Sequence, residues 1–316
     1  TNNAQTSGST NEYPTNKVDP TSSVVTVNGS GSSNNINING EKTIMYCFAN
    51  IDGYQRIGSY VGNGSANGPY IYTGFEPAWI LIKNVTTNGK YWYIYDNKRS
   101  TTKSLGKELY PNTNDGEYDY DSAGRLVADA NGFHVVSTES GINTSGNTMI
   151  FMAIAANPDT TAPTKANSFK TKLYTGTGSA QSITGFGFKP DFVWTKTTTA
   201  ANNHYTFDSV RGVEKEIYTD LNNAEYSQSG SLTSFDSDGF TIGSAGGVSS
   251  SFPRVAWAWK GLDHDRNLAA INTDGNIPSL VSANPEAGFS IITYSPNNTV
   301  GMSIGHGLSQ APQIVF

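Results

Sequence analysis

The chain repeats itself, and repetition constrains a fold more than any single motif, because each copy must fold to one topology. The segment GFEPAWILIK at 74–83 returns as GFKPDFVWTK at 187–196, an offset of 113 residues, and NGFHV at 131–135 returns as DGFTI at 238–242, an offset of 107. Between them, YIYD (93–96) recurs as YTFD (205–208) and KELYPNTNDGEY (107–118) as KEIYTDLNNAEY (215–226). Order is kept and the drift falls between matched segments, as expected when loops vary around fixed strands. Three closing segments, MYCFAN (45–50), FMAIAA (151–156) and AWAWKG (256–261), are nearly evenly spaced: Cys47, Ala153 and Ala258 lie 106 and 105 residues apart.

The repeat sets the expected boundaries. Residues 51–157 and 169–260 form two units; FSIITY (289–294) matches FKTKLY (169–174) and opens a third, incomplete at 289–316. Residues 1–50 combine a polar opening with VVTV (24–27) and TIMYCFA (43–49), which resemble the last two strands of a preceding unit, so both ends read as cut from a longer array. The Pro-, Asn- and Asp-bearing stretches 156–168 and 261–288 are expected to be linkers.

Bulky and β-branched residues alternate in AWILIK, KYWYIYD, DFVWTK and NHYTFD over runs of about six bounded by Gly, Pro and Asn, the period of strands. The expected fold is all-β: tandem antiparallel β-sandwiches of jelly-roll or concanavalin-like type, joined by short polar linkers. Residues 109–126 leave room for a short helical turn, and the NG and DG pairs before Phe133 and Phe240 predict tight turns with positive φ at glycine. In AWAWKG, Trp257 and Trp259 share one face and Ala256 and Ala258 the other, which predicts that the tryptophans fill the inner layer of the second sandwich.

Composition narrows the function. A net charge of −6 without a Lys/Arg cluster argues against nucleic acid and an anionic membrane surface as partners, and no apolar run is long enough for a spanning helix. Cys47 is the only cysteine, so no intrachain disulfide is possible. The chain does not open on Met, which leaves processing and partial coverage of a longer protein both open. His134, His204, His264 and His306 do not recur at equivalent positions and show no metal-ligand spacing, while Asp263 and Asp265 in DHDRN lack the rest of a calcium loop; no cofactor or metal is expected. GSAGG (243–247) lacks the Lys-Ser/Thr of a phosphate loop.

Two polar sets are duplicated. Asp96 with Arg99 and Asp208 with Arg211 stand at strand ends, where such a pair either orients a sugar by bidentate hydrogen bonds or fixes the following loop; the second reading is preferred. Glu108 and Glu216, with Glu117 and Glu225, supply paired carboxylates of the kind a glycosidase uses, without a sign of a shared cleft. Aromatics near loops are candidates for carbohydrate stacking, chiefly Trp92, Tyr110, Tyr118, Tyr218 and Tyr226, against the competing reading of core packing with the hydroxyl at solvent.

YVGNGSANGPYIYTGFEPAWILIKN, GFKPDFVWTK with YTFDSVRG, LTSFDSDGFTIGS and VAWAWKG resemble tandem modules in virion structural and tail-fibre-like proteins of marine tailed bacteriophages, described as concanavalin A-like lectin/glucanase sandwiches. The resemblance covers about 44–316 and implies a non-enzymatic fibre or spike element at the virion surface. Its implied partners are other virion proteins, further copies of itself (a trimer, by analogy with fibres) and host-surface glycan. The alternatives are a purely structural capsid or tail decoration and a glycan depolymerase of glucanase type.

Overall fold

The computed structural model describes residues 18–27, 36–100, 102–156, 167–245, 247–261 and 269–316. Antiparallel sheets account for nearly all its regular structure, as the alternating runs predict. In module I one sheet orders the strands Gln55–Val61, Thr148–Ala155, Pro77–Asn84 and Trp92–Asp96, with the closing strand Thr148–Ala155 second. In module II the equivalent order is Phe169–Thr175, Pro253–Trp259, Phe192–Thr197 and Tyr205–Asp208, extended by Lys215–Tyr218 and Tyr226–Ser227. The facing sheets also correspond: Tyr70–Tyr72, Gly132–Val135, Leu126–Asp129 and Ser104–Leu105 in module I, and Gln181–Thr184, Gly239–Ile242 and Leu232–Asp236 in module II.

The two end fragments, expected to belong to different repeats, pair with each other. Thr43–Phe48 lies between Phe289–Tyr294 and Ile314–Val315, and Val24–Val27 pairs with Met302–Gly305. The register matches module II: Phe48 opposes Phe289 as Trp259 opposes Phe169, and Cys47 opposes Val315 as Ala258 opposes Val193. Early and late strands thus build one module III. The stretch 261–288 is also more than a connector, because Ala270–Asn272 and Ser279–Asn284 extend the same sheet. Val281 is buried there against Ile292 and Ile277, an apolar surface that a free linker lacks.

Each module has its own interior, and a further cluster joins all three. Ala153 and Ala155 face the interior of module I, Ala256 and Ala258 that of module II, and Met45 and Cys47 that of module III. The alternate residues of the same strands, Met152 and Ile154, Trp257 and Trp259, Tyr46 and Phe48, converge with Trp79, Leu81, Phe192, Trp194, Phe289 and Ile291 in one central core. This corrects the expectation for the tryptophans: they lie outside the second sandwich, at the junction. The small residues are the ones turned inward, where Val193, Phe207 and Phe240 already occupy the space between the sheets. Trp259 meets aromatic rings of all three modules, with centroids 5.8 Å from Trp79, 5.2 Å from Phe192 and 6.2 Å from Phe289.

Two local expectations also change. The only helical turn among the described residues is Ser140–Asn143, whose first turn is capped by the Glu139 carboxylate. Residues 109–126 instead hold turns and the short strand Tyr118–Asp119, in keeping with Pro111, Asn112, Asn114 and Gly116. At NG and DG only Gly239 has a positive φ, and both glycines serve close strand approach: a Cβ on Gly132 would strike the Ile71 carbonyl, and one on Gly239 that of Ile183.

Candidate functional site

The duplicated Asp–Arg pairs close a strand-end loop in the same way twice. Asp96 Oδ1 accepts the backbone N–H groups of Lys98 and Arg99, and Asp208 Oδ1 those of Val210 and Arg211. Arg99 donates Nε to Asp96, Nη1 to Glu117 (3.1 Å) and Nη2 to the Ile94 carbonyl (3.0 Å). Arg211 repeats the pattern with Asp208, Glu225 and the Thr206 carbonyl. Both aspartates are fully buried, which leaves no donor or acceptor face for a sugar.

Each aspartate also receives a bond from a neighbouring module. Trp257 Nε1 donates to Asp96 Oδ2 at 3.1 Å, and the Tyr46 hydroxyl donates to Asp208 Oδ2 at 2.8 Å. Tyr46 and Trp257 occupy the same place in their closing strands, one residue before Cys47 and Ala258. One polar link therefore joins module II to module I and module III to module II. Burial, and then the Asp208 charge, raise the Tyr46 hydroxyl well above its ordinary pKa and keep it a donor.

The carboxylates are engaged as structure too. Glu108 is buried and accepts the Tyr95 and Tyr110 hydroxyls and Arg125 Nε, each at 2.8 Å. Burial raises its pKa against the opposing pull of Tyr110, Arg125 and Tyr95. Glu216 is buried as well, accepts the Tyr218 hydroxyl, and has its pKa raised chiefly by burial. Glu117 and Glu225 are bound to Arg99 and Lys107, and to Arg211 and Lys215, respectively.

The feature that faces solvent is aromatic. Lys107–Glu108 pairs with Tyr118–Asp119 so that Glu108 opposes Tyr118, which brings Tyr110 diagonally onto Tyr118. Tyr91, Tyr110, Tyr118 and Tyr120 form a continuous stack with centroid separations of 4.7, 5.3 and 6.5 Å and interplanar angles of 14°, 29° and 11°. Tyr91 and Tyr118 are 37% and 40% exposed, so part of the strip's aromatic surface is open to solvent. The Arg125 guanidinium lies 3.8 Å over Tyr120, at one end of the strip. Module II braces the loop beneath it: Glu117 N–H donates to the Thr198 carbonyl at 2.6 Å, and Thr219 Oγ1 donates to that of Pro111.

Of the residues expected to contact carbohydrate, the structure brings Tyr110 and Tyr118 together and places Tyr218 and Tyr226 at the equivalent edge of module II. Trp92 turns the other way, packs on the central core and meets Phe316 edge-on at 5.9 Å. Tyr120 and Arg125 complete the strip although sequence reasoning passed over them; the i, i+2 spacing of YDY was the available signal. His264, Asp263 and Asp265 lie outside the described residues.

No curated protein and no solved structure matches the chain. A family match covers residues 1–158 and again 164–316, the break falling between the closing strand of module I and the first strand of module II. The chain therefore belongs to the family described as a domain of unknown function (DUF7483).

Proposed function

We propose that this chain is a non-catalytic structural protein of a bacteriophage virion, a fibre or spike element that presents its modules outward and holds host-surface glycan. The observation that carries the binding role is the tyrosine strip Tyr91, Tyr110, Tyr118 and Tyr120, because its exposed members Tyr91 and Tyr118 offer apolar ring surface and hydroxyls together, the combination that suits a pyranose ring. The engagement of Glu108, Glu117 and Glu225 by arginine, lysine and tyrosine supports binding without hydrolysis. The shared central core supports a mechanical role, since it fastens three modules into one body. In a virion, many copies of a weak site gain avidity without stronger individual contacts.

Retention on immobilised host-surface polysaccharide tests the proposal. Tyr118→Ala should weaken retention with thermal unfolding unchanged, and the polysaccharide should keep its chain length. Failure of the unsubstituted chain to bind would favour a decoration protein. Oligosaccharide release that stops on Glu117→Gln or Glu225→Gln would favour a depolymerase.

A further inference from the structure

Modules I and II carry the same edge with two rings fewer in module II, where Asn203 stands for Tyr91 and Gln228 for Tyr120. Tyr110 and Tyr118 of module I correspond to Tyr218 and Tyr226 of module II, and both pairs sit in the same two-strand register, Glu108 opposing Tyr118 as Glu216 opposes Tyr226. In module I the face of Tyr110 is covered by Tyr91 at 4.7 Å and 14°. Tyr91 stands two residues before Tyr93; the residue two before the matching Tyr205 is Asn203. Where module I places a phenol ring, module II has a carboxamide, and beside it opens a recess of about 490 Å³ lined by Asn203, Tyr218, Leu221, Asn223, Ala224 and Tyr226.

We infer that this recess is a binding slot for one neutral pyranose ring, seated in module II where Tyr91 sits in module I; the inference rests on the glycan-binding reading above. Module I supplies the template, because a six-membered ring at that position lies parallel to the tyrosine beneath it. Tyr218 is held for the purpose on two sides: its hydroxyl donates to Glu216, and its ring meets Tyr205 edge-on at 5.3 Å. Tyr226, 52% exposed, supplies a second aromatic wall. The class of ligand follows from the rim. Asn203 and Asn223 offer amide donors and acceptors to ring hydroxyls and are not hydrogen-bonded to other described residues, whereas a purely aromatic ligand would leave both without partners. The lining holds no charged side chain, which selects a neutral sugar over a uronate or a sulfated one.

Saturation-transfer NMR on the whole chain tests the slot with three probes, methyl α-D-glucopyranoside, methyl α-D-mannopyranoside and methyl β-D-galactopyranoside, and with p-cresol as the aromatic comparator. At least one pyranoside should receive saturation. Its affinity should fall about tenfold or more in Tyr226→Ala, which removes a wall, and in Asn203→Tyr, which installs the ring module I already has. Tyr118→Ala, in the other module, should leave it unchanged. Absence of transfer to all three sugars, binding that survives Asn203→Tyr, or preference for p-cresol would each overturn the slot. Weakened polysaccharide retention in Tyr118→Ala combined with pyranoside binding indifferent to Asn203→Tyr would remove the slot and leave the proposed function standing. Intact slot binding without any polysaccharide retention would do the reverse.

Discussion

Replacing Trp259 by alanine separates a shared core from three independent ones. The indole is 1% exposed, and truncation of a large buried aromatic costs about 3–5 kcal/mol. Its Nε1 has no hydrogen-bond partner, so the loss is one of packing alone. The consequence depends on how much chain unfolds with it. Unfolding entropy is about 2.1 cal/mol/K per residue, so a cooperative unit the size of this chain changes by about 0.66 kcal/mol/K and a loss of about 4 kcal/mol lowers its Tm by about 6 °C. A sandwich of about 90 residues unfolding alone would have an entropy of about 0.2 kcal/mol/K, and the same loss would lower its Tm by about 20 °C. Differential scanning calorimetry distinguishes the two. The contacts of Trp259 with Trp79, Phe192 and Phe289 predict one transition displaced as a whole by about 6 °C. A scan in which a third of the heat moves by about 20 °C while the remainder stays in place would refute the shared core.

Tyr46→Phe keeps the ring but removes the link to Asp208 and should cost about 1.5–3 kcal/mol in urea unfolding, the worth of a hydrogen bond to a charged group; Trp257→Phe removes the link to Asp96 together with part of a buried ring and should cost at least as much. Cost confined to one of them would show that the two links are not equivalent. Lys196 should make stability rise with alkalinity. Burial lowers its folded-state pKa from 10.5 to about 8, so between those values the unfolded chain binds more protons and stability increases with pH, while below about 8 the cost of burying the charge is fully present. Urea midpoints should climb from pH 8 to pH 10 and lose that slope in Lys196→Met; an identical slope in the variant would place the titration elsewhere.

Strands and repeat were legible because both leave periodic marks: alternation over six residues in AWILIK and DFVWTK, and matched segments in one order. The direction each strand faces was not. Trp257 and Ala258 alternate in the same way whether the bulky face looks into a sandwich or toward a neighbour, since both environments are dry. Nor does local pattern reveal that Thr43–Phe48 finds Phe289–Tyr294, a partner from the far end of the sequence. The Asp–Arg staples were readable from their duplication, but the donors from Trp257 and Tyr46 come from other modules. For the tyrosine strip, the rings were visible as residues, while their stacking depends on the register of Lys107–Glu108 against Tyr118–Asp119. Trp92 was misplaced for the same reason as Trp257: neighbouring Tyr91 and Tyr93 face the opposite way, and only the third dimension says which side meets solvent.

In the proposed virion role, three modules fastened through one core carry an outward-facing aromatic strip, and imaging the assembled particle at a resolution that places individual chains tests that proposal most directly. It predicts this chain on the particle exterior, with Tyr91, Tyr118 and Tyr120 turned to solvent and the central core around Trp259 intact. A chain enclosed within the particle, or one whose tyrosine strip is covered by another virion protein, would contradict it.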